Sequence, residues 1–388
     1  MYNGREQLDD LVWDKNDDEH DESLKRMRLS STCRKVERLA EQLFCTTATF
    51  VSPIILGGFN ILYRIGLTGI SPDDLLRLPC PSLVQFPKEK TPQEVATTKY
   101  IAEHTAIPIP KHFFAGEDET LGPYIILQYV DARGKSMSGR TAAPTDDSSI
   151  QYVLDPSLPS PVLETIWTKA ATCLLQLSHL TFPRIGALEQ DAASGAYRIA
   201  GRPLTYNMTA MTRLANIPRA ALPSEGSTYT TADAWYTTLT EMNLAQLVFQ
   251  RNEAVSSADD CRNKYVARQI FWRLARQGRL AVFGFAEDDW SAQAFGGTLS
   301  ATEQLAPAPE GTGDFRLWGD NFRAGNLLMG EDDELVAAID WEFAYAAPTQ
   351  FALDPPRWLL LSEAEMWAVG STSGCGCTRG GWRHGWLL

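Results

Sequence analysis

"LWGDNFRAGNLLMGEDDELVAAIDWEF", residues 317–343, sets an acid, an amide and a second acid around two short apolar runs. The turn "GEDDE" separates "NLLM" from "LVAAI", which predicts a β-hairpin with Asn326 opening one strand and Asp340 closing the other. Across such a hairpin a carboxylate and an amide carbonyl are hard oxygen ligands, a pair suited to Mg²⁺ shared with phosphate oxygens. Asp320 precedes them in a loop, where a carboxylate can orient an attacking hydroxyl or accept its proton. Each piece alone also has a plain reading: turn residues at 320 and 326, a strand-end acid at 340, and ordinary core in "LVAAI".

The rest of the chain narrows the choice. Its 388 residues exceed one typical domain and predict two lobes. A formal net charge of −13 argues against binding along nucleic-acid backbones, which takes clustered Lys and Arg, and leaves room for cationic small molecules. No apolar run approaches the ~18 residues of a membrane span, and the acidic start differs from a signal peptide. Seven scattered cysteines, an odd number, point to reduced thiols and a cytoplasmic location. Cys375 and Cys377 form C-x-C without a second pair at zinc spacing.

Residues 1–22, rich in Asp and Glu, are expected to be mobile. From Ser30 the apolar positions Cys33, Val36, Leu39, Leu43 and Phe44 recur at helical spacing. "FVSPIILGGFNILYRIGL" predicts two strands joined at Gly57-Gly58, and "LLRLP" (75–79) a third. "TPQEVATTKYIAEH" predicts a helix with Thr91 as N-cap and Pro92 at its first position. "IPIP" (107–110) ends it, and "YIILQYV" (124–130) suits a buried strand. Polar, Ser- and Pro-rich residues 131–160 form a linker to three helical patterns at 161–180, about 232–252 and about 259–276. Residues 286–313 predict a long loop.

The blocks "GGFNILYRI", "RLPCPSLVQFPKEKTPQEVATTKYIAEHTAIPIP", "LGPYIILQYV", "GRPLT", "QRNEAV", "ADDCRNKYVARQIFWRLA" and "IDWEFAYAAPTQFALDPPRWLLL" occur in this order between about residues 24 and 368. The chain thereby resembles the fungal branch of the aminoglycoside phosphotransferase and choline kinase family, related in fold to protein kinases. The resemblance implies a bilobal α+β fold: a small antiparallel-sheet N-lobe with one main helix (24–130) and a larger, mainly helical C-lobe (131–368). A mobile N-terminus (1–23) and an aberrant tail (369–388) flank the two lobes. It implies ATP and Mg²⁺ as cofactors and a small-molecule acceptor, with no nucleic acid or membrane partner and an undetermined oligomeric state. Gly57, Gly58 and Asn60 match the hairpin over the nucleotide phosphates. Arg77 matches the phosphate-gripping base and Glu94 its helix partner, although Glu94 also completes a Thr91-x-x-Glu94 capping box. Gln128 and Val130 match the strand end facing adenine, and Asn326 and Asp340 match the metal ligands. Glu342 is either a further acid behind the metal or part of the "WEF" turn.

Two departures stand out. The family places its metal-binding Asn five positions after its catalytic Asp, and five back from Asn326 is Asn321, not Asp320. The histidine before that Asp is replaced by Trp318 or Gly319. After "PPRWLLLSEAEMWAVG" the chain ends in "STSGCGCTRGGWRHGWLL", where relatives continue in helices. The sequence thus predicts a phosphotransferase acting on a hydroxyl. The alternative is a pseudokinase that binds nucleotide or acts as a scaffold.

Overall fold

A computed structural model describes residues 8–131, 136–137, 158–252, 254–289, 305–309, 315–331 and 333–353, with 70–72 by backbone alone. The tail at 369–388, the block after Leu353, and most of the 131–160 linker and the 286–313 loop lie outside the described residues. The fold is α+β, with a small lobe built on an antiparallel sheet and a larger lobe of helices and short strands.

The small lobe is a five-stranded antiparallel sheet in the order β1-β2-β3-β5-β4. Its strands are β1 (Ala48–Leu56), β2 (Asn60–Leu67), β3 (Ile70–Pro79), β4 (His112–Asp118) and β5 (Gly122–Gln128). Alternation in β2 sends Ile61, Tyr63 and Ile65 to one face, where they meet Leu76 and Leu78 of β3 and Val36, Leu39 and Ala40 of helix α2 (Ser30–Phe44). Each such fully buried aliphatic side chain contributes about 1.5–3 kcal/mol. The opposite face presents Leu75, Ile125 and Leu127 to Val95 of helix α3 (Pro87–His104). Strand β4 had no counterpart in the sequence reading, since its apolar run is only Phe113, Phe114 and Ala115.

Helix α3 starts earlier than the sequence predicts. Phe86 occupies the N-cap position and Pro87 begins the helix, so Thr91 and Pro92 lie inside it and no capping box forms. Either proline could open a helix, because its fixed φ and missing N–H are tolerated there. The extra turn is held by Arg202, which grips Glu89 at 2.8 and 2.9 Å, and by the buried Lys90.

The acidic start, expected to be mobile, is helical from Leu8: α1 spans Leu8–Met27. Its first half docks on the large lobe, where Asp9 accepts from the Arg251 amide at 2.7 Å and Asn16 donates to the Arg213 carbonyl at 2.7 Å. Its second half docks on the small lobe. His20 meets the Ser82 hydroxyl at 3.0 Å, Leu24 and Met27 join the sheet core, and Tyr63 donates to the Met27 carbonyl.

The large lobe contains α4 (Ser160–Ser178), α5 (Tyr206–Arg213), α6 (Ala232–Phe249) and α7 (Ala258–Arg276). The helical pattern predicted at 161–180 is α4, which buries Ile166, Ala170, Cys173 and Leu177. Short strands complete it. β6 (Thr181–Phe182), β9 (Phe315–Gly319) and β12 (Ala344–Ala347) make one sheet, in the order β12-β9-β6. β7 (Ala187–Gln190) pairs with β8 (Tyr197–Gly201), and β10 (Leu327–Met329) pairs with β11 (Leu335–Ala338). The short α8 (Thr349–Leu353) follows. The β10–β11 hairpin is the one predicted from residues 317–343, with Leu327 opposite Ala338.

Burial pushes the His112 imidazole down to about 4, helped by Arg77 and Lys99, and its Nδ1 lacks a hydrogen-bond partner. Its neutral form is therefore favoured by folding, and that stability is full above the ordinary value near 6.5 and lost as pH falls toward about 4. Urea titrations from pH 7.5 to 4 are expected to show a falling midpoint, and His112→Asn to flatten that fall.

Candidate active site

Five small-lobe and large-lobe side chains meet in a buried polar junction. β3 carries Arg77 at the centre of the sheet, opposite Leu62 of β2 and Ile125 of β5. One turn apart on α3, Lys90 and Glu94 project from the same face. Asn60 opens β2, and Glu342 follows β11 on the large lobe. Arg77 Nη1 lies 2.6 Å from Glu94 Oε1, and Nη2 donates to Glu94 Oε2 at 3.0 Å and to Glu342 Oε2 at 2.9 Å. Lys90 Nζ contacts Glu342 Oε2 and donates to Asn60 Oδ1 at 3.1 Å, while Asn60 Nδ2 donates to Glu342 at 2.8 Å. Glu94 thus pairs with Arg77 and caps nothing. Asn60 turns its amide inward to Lys90 and Glu342 instead of outward.

Such burial penalises every charge, so pairing decides each protonation state. Burial would lower the Arg77 pKa, but Glu94, Glu342 and Asp340 together raise it. Burial raises Glu94, against Arg77 and Lys90, with Glu342 and Asp340 adding to the rise. At Glu342 burial is overcome by Lys90 and Arg77, which hold that carboxyl below its usual range. Asp340 is raised by burial and by Glu342, with Arg77, Lys90 and Arg323 acting against the rise.

Asp340 and Asn326 are brought together by the hairpin register: the Ile339 amide donates to the Asn326 carbonyl at 2.9 Å. Asp340 has φ of 61°, the left-handed region that Asp tolerates better than bulkier residues. Its Oδ1 lies 3.7 Å from Arg77 Nη1. Asn326 Nδ2 donates to the Asn321 carbonyl at 2.8 Å, which leaves Oδ1 as the amide's acceptor for a cation. No three His, Cys, Asp or Glu side chains among the described residues form a metal-holding group. An Asp oxygen and an Asn oxygen beside an arginine fit a Mg²⁺ ion that takes its remaining ligands from phosphates and water.

Asp320 and Asn321 differ in how their side chains are engaged. Asp320 Oδ2 accepts from the Tyr206 amide at the start of α5 at 2.8 Å, and Oδ1 accepts from Trp318 Nε1 at 3.3 Å. Burial raises its pKa against these two bonds. The Asn321 side chain makes no hydrogen bond among the described residues.

The glycine turn is closed by the Gly57 amide on the Asn60 carbonyl at 2.8 Å. A Cβ at 57 would meet that carbonyl at 3.2 Å, whereas one at 58 would meet nothing within 4 Å. Next in sequence, Phe59 stacks edge-on against Tyr206 and Phe343, with centroids 5.5 and 5.1 Å away. The turn therefore rests on the large lobe beside Asp320 and Glu342. At the other end of the sheet, Gln128 pairs with Asp74 and bonds Lys111 through its amide, and Val130 has no hydrogen bond among the described residues.

Sequence reasoning missed Lys90, which in "KEK" has the look of a solvated charge, although its i,i+4 spacing from Glu94 was visible. It also missed a cavity of about 600 Å³ on the far side of α3, bounded by Lys88, Gln93, Lys99, Glu117 and Gln190.

The described fold is similar to several solved kinases. The GDP and kanamycin complex of an aminoglycoside 2″-phosphotransferase has 13% identity and a TM-score of 0.41, covering 89% of this chain and 81% of that one. The GDP complex of a point mutant of aminoglycoside 2′-phosphotransferase IIIa has 13% identity and a TM-score of 0.40, covering 81% and 74%. The Rio2 kinase of Chaetomium thermophilum has 11% identity and a TM-score of 0.24, covering 64% and 76%. No family model and no curated protein sequence matches the chain. Likenesses of this size leave the chemistry of the site to its own geometry.

Removing one member of a buried ion pair strands the others. Arg77→Met is expected to cost about 3–5 kcal/mol in urea unfolding. Arg77→Lys should recover only part of that loss, because an ammonium cannot fork between Glu94 and Glu342. An unchanged midpoint in Arg77→Met would mean that the junction does not hold the lobes.

Proposed function

We propose that the cleft binds ATP with Mg²⁺ and transfers the terminal phosphoryl group to a hydroxyl of a small molecule. One observation carries this reading: a buried arginine, already locked to Glu94, reaches across the lobes to Asp340, which lies beside Asn326. Arg77 supplies positive charge for phosphate oxygens, and its bonds to Glu94 and Glu342 fix the guanidinium before any ligand arrives. Gly57 and Gly58 offer backbone amides without side chains, and the open space beside Gly58 means that packing alone does not require a glycine there. Asn326 and Asp340 would hold the metal. When bound, Mg²⁺ neutralises charge on the phosphates, which with positioning makes up most of phosphoryl-transfer catalysis. Val130, whose backbone groups have no partner among the described residues, would face the base.

For the acceptor hydroxyl we assign the orienting role to Asn321 and a structural role to Asp320. Both Asp320 oxygens are engaged, one at the start of α5, whereas the Asn321 amide makes no hydrogen bond among the described residues. An amide can align a hydroxyl but cannot accept its proton. The same residue favours a second reading, nucleotide binding without useful turnover. The residues of α5 near Phe59 and Asp320 are the nearest candidates for the wall of the acceptor site.

Calorimetry with ADP and ATP, with and without Mg²⁺, is the first test. Magnesium-dependent binding lost in Asp340→Ala supports the site, and its absence from well-folded wild-type protein overturns it. For turnover, Asn321→Asp is expected to raise slow ATP hydrolysis toward the ~10²–10⁴-fold that a general base supplies. Asp320→Asn should leave that rate within a few-fold. If Asp320→Asn abolishes turnover instead, the two roles are reversed.

A further inference from the structure

We propose that Lys90 is a positioning residue of the nucleotide site: it fastens Glu342 to the small lobe, so that Asp340 is the acid left for a cation. The inference rests on the reading of the cleft given above and adds a residue that the sequence did not single out.

Glu342 lies two residues beyond Asp340, on the large lobe. Its Oε2 takes three small-lobe partners: Lys90 Nζ, Asn60 Nδ2 at 2.8 Å and Arg77 Nη2 at 2.9 Å. Lys90 Nζ also donates to Asn60 Oδ1 at 3.1 Å and lies 3.8 Å from Glu94 Oε2. The Lys90 and Glu342 side chains are 3% and 2% exposed, so water cannot stand in for either partner.

Charge counting shows what Lys90 changes. Arg77 and Lys90 balance Glu94 and Glu342, and Asp340 is a further acid at the longer distance of 3.7 Å from Arg77. Arg323 also acts on Asp340, from outside the balanced set. Without Lys90, Arg77 would be the sole cation bonded to Glu94 and Glu342 and the nearest one to Asp340. The two carboxylates that it already bonds would then claim it fully. With Lys90 present, Glu342 has its own counter-charge.

Geometry makes the same point. Asp340 holds a left-handed backbone at φ of 61°, a conformation that persists only where flanking residues fix it. On one side the Ile339 amide is bonded to Asn326, and on the other Glu342 is anchored by Lys90, Asn60 and Arg77. The contact that joins the lobes is thus the one that holds the strand end carrying Asp340. It depends on α3 starting at Pro87, since a helix beginning at Thr91 would leave Lys90 outside it.

The test is a double-mutant cycle on the full chain with Lys90→Met, Glu342→Gln and the double variant, reading ADP affinity across a Mg²⁺ titration together with the melting temperature. Each single variant is expected to weaken magnesium-dependent ADP binding about tenfold, the scale of losing a residue that orients a metal ligand. The double variant should match a single one, because Lys90 acts through Glu342. A merely structural lysine would lower the melting temperature and leave the affinity of folded protein within twofold of wild type, which overturns the proposal. Additive losses near a hundredfold in the double variant overturn it too. Should Lys90→Met not fold, Glu342→Gln and the double variant carry the comparison: equal affinities support the proposal, and a further loss in the double variant refutes it. Wild-type protein that binds no Mg²⁺ and ADP defeats the parent reading and this inference with it; wild-type binding with an indifferent Lys90→Met defeats the inference alone.

Discussion

Burying charge is costly, and the architecture around β3 and α3 follows from meeting that cost. Arg77 sits in the middle of a sheet with hydrophobic residues on either side, where an unpaired guanidinium would be untenable. Its partners must therefore come to it: Glu94 from the helix above and Glu342 from the other lobe. Once Glu342 is buried it needs more donors than Arg77 has to spare, and Asn60 and Lys90 provide them. Each group is present because another would be stranded without it. A junction of this kind adds little net stability compared with an apolar plug, but it tolerates only one arrangement of the lobes.

The same arrangement brings the ligand-facing groups into range. The glycine turn is carried by β1 and β2 and steadied on the large lobe by Phe59 against Tyr206 and Phe343. Phe343 is the residue after Glu342, and Tyr206 presents the amide that binds Asp320. Aromatic and ionic contacts are therefore interleaved along one short segment, 340–343, and the site's floor and roof are joined through it.

Much of this was legible in the sequence, for reasons that can be stated. β2 and α4 bury one face, which leaves a period in their apolar residues, and β5, buried on both faces, shows as an unbroken apolar run. The β10–β11 hairpin announced itself by a polar turn between apolar runs. What escaped notice lacked such a period. Lys90 belongs to a charged run, and only the three-dimensional meeting with a residue 252 positions away reveals it as core. Thr91-Pro92 satisfied the rules for a helix start as well as Phe86-Pro87 does, and the choice between them was made by contacts of Glu89 and Lys90 that local sequence does not contain. The rivalry of Asp320 and Asn321 was visible as a miscount, but which of the two would be tied to α5 depended on Tyr206, more than a hundred residues upstream.

Helix α1 looks by composition like a dispensable acidic leader, and its outer face is one. Its inner face links the ends of α5 and α6 to the rim of the small sheet, so it is a strut between the lobes, apart from the junction at Glu342. A leader can be trimmed or exchanged at no cost, whereas a strut sets a distance. Cutting near Leu24 would take away Asp9 and Asn16, which grip the large lobe, and His20 with them, and leave Leu24 and Met27 against the small sheet. The protein would keep both its halves and lose the outer of the two spacers between them, leaving the junction at Glu342 to set the distance alone.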